Sequence, residues 1–153
     1  MAAYRLKQQL VNNMSEQTSQ SERDEFREYC QRWLEENRPP PTKIPLPQNA
    51  YEVTFHDHRT YLCDWQAKCY EAQLIGTDVP QDYGGHGHTE FQAIASAEVR
   101  KANVPYFINW IGLGMTAPTL LIHGTEEQKK RFLPPIFSAE EIWCQGFSEP
   151  GAG

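Results

Sequence analysis

No two of the four cysteines in this 153-residue chain are spaced C-x-x-C, and Cys30, Cys63, Cys69 and Cys144 show no disulfide-like rhythm. That excludes a paired-cysteine metal or redox motif and points to four free thiols in a reducing compartment. Basic charge is scarce as well. Fourteen Lys and Arg stand against twenty Asp and Glu, a formal net charge of −6, with no long basic block. A nucleic-acid surface is thereby excluded. The opening "MAAYRLKQQLVNN" has no apolar core of a secretory signal. It is basic and free of acids until Glu16, but its Gln and Asn content and its lack of Ser argue against an organelle presequence.

Residues 102–125 carry no Asp, Glu, Lys or Arg, a run long enough to cross a bilayer, which takes about 20 apolar residues. Pro105, Asn109, Thr116, Pro118 and three glycines interrupt it, so a buried core segment is expected and no membrane span. A chelating arrangement of metal-ligating groups is also missing. His56 and His58 lie two apart and point in different directions on a helix, and His86 and His88 have no nearby carboxylate cluster. Cys144 with His123 lacks a third group to orient a nucleophile. No repeat and no low-complexity tract is present.

What remains is a globular composition, 39% hydrophobic and 22% charged, sufficient for one domain with a core. Four helix starts are marked by the spacing of a capping box, in which a Ser or Thr hydroxyl and an acidic or amide side chain three residues on satisfy each other's backbone N–H. Ser21 with Asp24 opens a helix whose Phe26, Tyr29, Cys30, Trp33 and Leu34 form one stripe, ended by the prolines at 39–41. Thr54 with Asp57 opens a second, with Tyr61, Leu62, Trp65, Cys69 and Ala72 on one face and Gly76 as its close. Thr89 with Gln92 opens a third, rich in small residues. Thr125 with Gln128 opens a fourth, acidic in its first turn and basic in its second. Between the last two, residues 104–122 are expected as one or two buried helical segments broken near Gly112–Gly114 or at Pro118. The expected core comprises Phe26, Trp33, Leu62, Trp65, Ile94, Leu120, Leu121, Phe132 and Leu133.

Two strings carry the sharper signals. "VPQDYGGHGH" (79–88) is followed by no GK[ST] and by no strand-borne G-x-G-x-x-G, so it reads as a tight connection needing positive φ at Gly84 and Gly85. "GFSEPGAG" (146–153) follows an expected strand, "IWCQGFS". Ser148 offers a hydroxyl and the glycines allow close approach of a ligand, or the string is a β-turn with nothing bound.

Together, "VPQDYGGHG", "HGTEEQKKRFLPPI" and "EIWCQGFSEPGAG", in this order and spacing, closely resemble the amino-terminal region of the acyl-CoA dehydrogenases over roughly residues 20–153. The resemblance implies an all-α antiparallel helical bundle, with one terminal β-strand from a truncated middle β-domain. Residues 1–19 would be a mobile polar lead-in, 20–141 the helical domain and 142–153 the start of the β-domain. The implied activity is α,β-dehydrogenation of acyl-CoA thioesters with FAD as hydride acceptor. The catalytic glutamate would lie in the carboxy-terminal domain, so no catalytic residue is assigned here, and Glu149 belongs to the turn. Gln145, Gly146, Phe147 and Ser148 would run beside the flavin, Ser148 keeping the hydroxyl of the Thr found in many relatives.

By the same resemblance the turn at Gly151 and Gly153, assigned to the substrate, would lead to a serine that contacts the CoA portion or the cofactor, and Tyr106, Phe107 and Trp110 would lie near the entering acyl tail. Those three aromatics form a floor that limits chain length or pack the core, core packing being preferred. Implied partners are an acyl-CoA, an electron-transfer flavoprotein and further copies of the enzyme as dimer or tetramer. The expected compartment is the cytoplasm, with the mitochondrial matrix as the weaker choice. By itself the chain should be inactive. Alternatives are a non-enzymatic helical interaction module, or part of an acyl-CoA oxidase or another flavoenzyme of this fold.

Overall fold

The computed structural model describes residues 19–88, 90–146 and 151. Among the described residues it contains five α-helices and no strand. Helix α1 (Gln20–Glu36) begins two residues earlier than the Ser21 spacing predicts. Ser19 is the cap: its hydroxyl accepts from the Glu22 N–H at 3.2 Å while the Glu22 carboxylate accepts from the Ser19 N–H at 2.8 Å. A glutamate reaches back where Asp24 is too short, and Ser21 instead donates to Glu25.

Helix α2 (His56–Glu71) starts after Phe55 with no side-chain cap, so Thr54 does not fill the predicted role. Its end is also earlier than Gly76. Gln73, at φ 62°, turns the chain so that Leu74 N–H reaches Cys69 O and Gln73 N–H reaches Tyr70 O, both at 2.9 Å. This double closure satisfies the last carbonyls without glycine.

Helix α3 (Phe91–Lys101) follows Glu90, and the predicted cap Thr89 lies outside the described residues. The cap comes from a distance. Asp78 accepts from Phe91 N–H at 2.7 Å and from Gln92 N–H at 3.0 Å. Asp78→Ala is therefore expected to destabilise the domain by about 1 kcal/mol, the usual cost of a lost N-cap, measurable by urea denaturation.

Helix α4 (Ala117–His123) is preceded by a π-helical turn, Gly112–Thr116. The helix is not broken at Gly112–Gly114 or at Pro118; it is widened. Ala117 N–H returns five residues to Gly112 O, and Pro118 sits at the start of the next α turn, where a missing N–H costs least. Helix α5 (Glu126–Phe137) has the predicted box, with Thr125 and Gln128 exchanging bonds at 3.2 and 2.9 Å.

The core is built where α1, α2, α3 and α5 meet. Cys30, Leu34, Leu62, Trp65, Cys69, Leu133 and Ile136 are all essentially inaccessible. Burial pushes the Cys30 thiol up to about 12 and raises that of Cys69 as well, so neither is poised to react. Phe26 stacks on Phe91 at 4.5 Å, tying α1 to α3, and the buried Glu98 accepts from Lys101 at 2.8 Å and from Gln31 at 3.1 Å. Of the predicted core, Phe26, Leu62, Trp65 and Leu133 are buried, while Trp33, Ile94, Leu120, Leu121 and Phe132 are half-buried at its margin. Among the described residues α4 packs on α5 and on the widened turn, and its outer side exposes Ile122.

The expected terminal strand is not formed among the described residues. Residues 142–146 run without regular structure, and no second strand among the described residues lies beside them to complete a ladder. No helix among the described residues is long and apolar enough to cross a membrane.

Candidate functional site

The loop after α2, the inner face of α3, the widened turn and the end of α5 enclose an apolar cleft of about 490 Å³. This is within the range of small-molecule sites. Each wall has a local cause. Gly76, at φ 70°, brings the loop so near α5 that a side-chain carbon there would sit 3.1 Å from the Phe137 ring. The π turn carries Leu113 and Gly114 to the cleft, and Ala117, Pro118 and Leu121 continue that wall. Gln92 and Ser96 from α3 are its polar members. The Gln92 amide is consumed internally: its oxygen accepts from Thr77 N–H at 3.0 Å and its nitrogen donates to Leu74 O at 3.1 Å.

Tyr106, Phe107 and Trp110 all line this cleft, as their sequence grouping suggests, but they do not share a helical face. Residues 104–107 are not helical, so the four-residue spacing of Tyr106 and Trp110 places them differently. Tyr106 and Phe107 are half-buried, the Tyr106 hydroxyl donating to Asn49 O at 3.3 Å. Trp110 is not a core residue: it is 43% exposed and meets Tyr51 edge to face at 5.2 Å. It also borders a second hollow of about 350 Å³, with Tyr51, Val53, Arg59, Ile142, Trp143 and Cys144 around it.

That second hollow adjoins the segment leading to the expected flavin contacts. Trp143 packs edge to face on Phe132 at 5.5 Å, and Arg131 donates to Glu141 at 2.6 Å. Beyond it, Gln145 and Gly146 are exposed, and no hydrogen bond among the described residues engages the backbone of Cys144, Gln145 or Gly146. Gly151 is exposed at φ 92° in a turn. Phe147, Ser148 and Gly153 lie outside the described residues. Sequence reading overlooked Gln66 and Asn109, both fully buried and mutually bonded behind these clefts. For Asn109 the signal available was a lone amide in the uncharged stretch 104–115, whereas Gln66, flanked by Asp64 and Lys68, carried none.

In the "VPQDYGGHGH" loop, His86 bonds Tyr70 O at 3.0 Å, and burial lowers its pKa. His88 bonds the Gln73 side chain and stacks on Phe91. Among the described residues no group of three or more His, Cys, Asp or Glu side chains could hold a metal ion.

A sequence model described as "Acyl-CoA dehydrogenase, N-terminal domain" matches residues 20–140. The chain is 33% identical over 135 residues to the acyl-CoA dehydrogenase IpdE1 of Mycobacterium tuberculosis, covering 85% of this chain and 34% of that protein. It is 47% identical over 91 residues to the acyl-CoA dehydrogenase FadE34 of the same organism, 58% of this chain and 12% of that one. The chain thus spans about a third or less of the length of these relatives. Among solved structures, the ChsE4-ChsE5 complex from Mycobacterium tuberculosis superposes with TM-score 0.57 at 24% identity, over 90% of this chain and 33% of the other. The Tcur3481-Tcur3483 steroid ACAD superposes equally well over 88% and 34%. Both likenesses concern the fold.

Proposed function

This chain belongs to the acyl-CoA dehydrogenase family through its N-terminal domain, and from that premise we propose that it supplies the acyl-binding wall of an FAD-dependent enzyme that introduces a double bond between the α and β carbons of acyl-CoA thioesters. The observation that carries the reading is the apolar cleft walled by the widened turn before α4. Its lining suits an alkyl or alicyclic acyl group, and burying such a group contributes roughly 0.8 kcal/mol per CH₂. Leu113, Phe107 and Phe137 exclude water from the chain and hold it in one orientation. Gly151 lies in the turn assigned to the CoA side.

The residues assigned to the flavin fit it in their described part. Among the described residues no hydrogen bond engages the Gln145 or Gly146 backbone, and a side chain at Gly146 would meet nothing within 4 Å, which supports the approach of a flat ring. Bound FAD would supply the hydride acceptor. In this division of labour residues 20–141 are the helical domain and 142–153 lead toward the cofactor. An electron-transfer flavoprotein as oxidant, a homo-oligomer and a cytoplasmic setting complete the proposal.

The test is an anaerobic titration of the assembled enzyme with acyl-CoA thioesters of increasing length. Bleaching of the oxidised flavin with one enoyl-CoA formed per flavin is the expected result. Rapid peroxide production in air would mark an oxidase, and a folded protein without acyl-CoA response would favour an interaction module. The 153-residue chain by itself is expected to be colourless after gel filtration. A few backbone hydrogen bonds, each worth about 0.5–1.5 kcal/mol, do not offset the several kcal/mol lost on immobilising FAD. Stoichiometric flavin retained by that chain would overturn the expectation.

A further inference from the structure

Two fully buried amides, Gln66 on α2 and Asn109 before the widened turn, form a closed set of hydrogen bonds. Gln66 accepts from Asn109 N–H at 3.1 Å and donates to Ile136 O and Phe137 O at 3.1 and 3.2 Å. The Asn109 side chain donates to Ile136 O at 3.0 Å and to Glu141 O at 2.8 Å, while its oxygen accepts from Trp143 N–H at 2.9 Å. The amide therefore uses every donor and its acceptor. Three separate pieces of backbone converge on it: the end of α5, the turn at Glu141 and the start of the segment toward Gln145.

The carboxamide has room only because residue 112 is glycine. A side-chain carbon on Gly112 would lie 2.4–2.6 Å from the Asn109 amide atoms. Gly112 also opens the π turn whose Leu113 and Gly114 line the acyl cleft. Asn109 thus stands between two ligand-facing pieces. One is the cleft wall at residues 106–114. The other is the chain that leaves Trp143 for the flavin side.

We infer that Asn109, seated over Gly112 and keyed by Gln66, is a positioning residue that sets the flavin-side segment against the acyl cleft, an inference that rests on the flavin and acyl assignments of the proposed function. Buried backbone groups need partners, so the chain at 141–143 has one favourable place as long as this amide is present. No other described hydrogen bond holds the Trp143 N–H. Without the amide, the segment keeps the Glu141 N–H to Pro135 O bond at 3.1 Å, the packing of Trp143 on Phe132 at the core margin and the exposed Arg131–Glu141 pair, none of which fixes the Trp143 N–H itself.

The experiment uses the assembled holoenzyme and three variants. Asn109→Leu keeps the volume and removes every side-chain bond. Asn109→Asp keeps the acceptor for Trp143 and loses both donors. Gly112→Ala displaces the carboxamide while leaving all bonding groups in place, and it serves if Asn109→Leu fails to fold. Hydrogen exchange at the Trp143 amide is compared with core amides of α2 and α5, alongside the FAD dissociation constant and the kcat and KM for acyl-CoA. In Asn109→Leu and Gly112→Ala, Trp143 exchange should quicken by ~10-fold or more with core amides little changed, as expected for loss of a buried bond. FAD should bind ~10-fold more weakly and kcat should fall more than KM rises. Asn109→Asp should lie between these and the wild type at Trp143. Unchanged Trp143 exchange in Asn109→Leu would overturn the inference. So would faster exchange with FAD affinity and kcat intact, which leaves the proposed function standing. A wild-type assembly that binds no FAD would instead overturn the proposed function, and this inference with it.

Discussion

Gly85→Ala is expected to destabilise the domain by about 3 kcal/mol, the upper end of what overpacking costs. Positive φ is not the reason. Gly84 and Gly87 are the left-handed glycines of this loop, at φ 78° and 72°, whereas Gly85 is not among the positive-φ residues and has no room. A carbon on Gly85 would lie 2.0 Å from the Val79 carbonyl oxygen and 2.4 Å from its carbon. Backbone on both sides must then part, and the loop's own bonds oppose it: Gly85 N–H to Pro80 O at 3.1 Å, His86 N–H to Gly76 O at 3.1 Å, and Gly87 N–H to Val79 O at 2.9 Å. For a chain of this size the melting temperature should fall by roughly 6–12 °C. Thermal unfolding of Gly85→Ala beside Gly114→Ala checks the assignment, since a carbon on helical Gly114 meets nothing within 4 Å and should be neutral or slightly stabilising. Equal losses in both variants would show that the Val79 contact is not what Gly85 serves.

Filling and opening the acyl cleft should move substrate preference in opposite directions. Gly114→Phe projects a ring from an uncrowded position on the cleft wall, so the fold should tolerate it. For acyl groups that fill the wild-type cleft, kcat/KM should drop by about 10-fold or more, because a single methylene of misfit already costs ~1–3 kcal/mol. Short acyl groups should be spared. Trp110→Ala removes the ring that borders both the 490 Å³ cleft and the 350 Å³ hollow beside it, and should extend the range toward longer or bulkier acyl groups. Its partial exposure means that little stability depends on it. Steady-state kinetics across a series of chain lengths decides the matter. If Gly114→Phe leaves every kcat/KM unchanged in a folded enzyme, the acyl group lies elsewhere. If Trp110→Ala only lowers stability, the ring serves packing with Tyr51 and not chain-length selection.

What the sequence by itself determined lies in interactions between near neighbours. The stripe of Phe26, Cys30 and Leu34, the face of Leu62, Trp65 and Cys69, and the Thr125–Gln128 box were legible because partners three or four residues apart meet on any helix. The family was legible from its three strings for a related reason: turns, caps and close approaches constrain residue type at fixed spacing. Only the tertiary structure decided the rest. Asp78 caps α3 from 13 residues before Phe91, and Gln66 meets Ile136 across 70 positions, separations that no local pattern encodes. The glycines before α4 read equally well as a break or a wide turn, and packing around the Asn109 amide accompanies the turn. Residues 142–146 have the composition of a strand, yet a strand is defined by the neighbour that accepts its hydrogen bonds, and among the described residues none is there. Trp110 followed the same logic. Its type said core, and its exposure was decided by which elements happen to stand beside it.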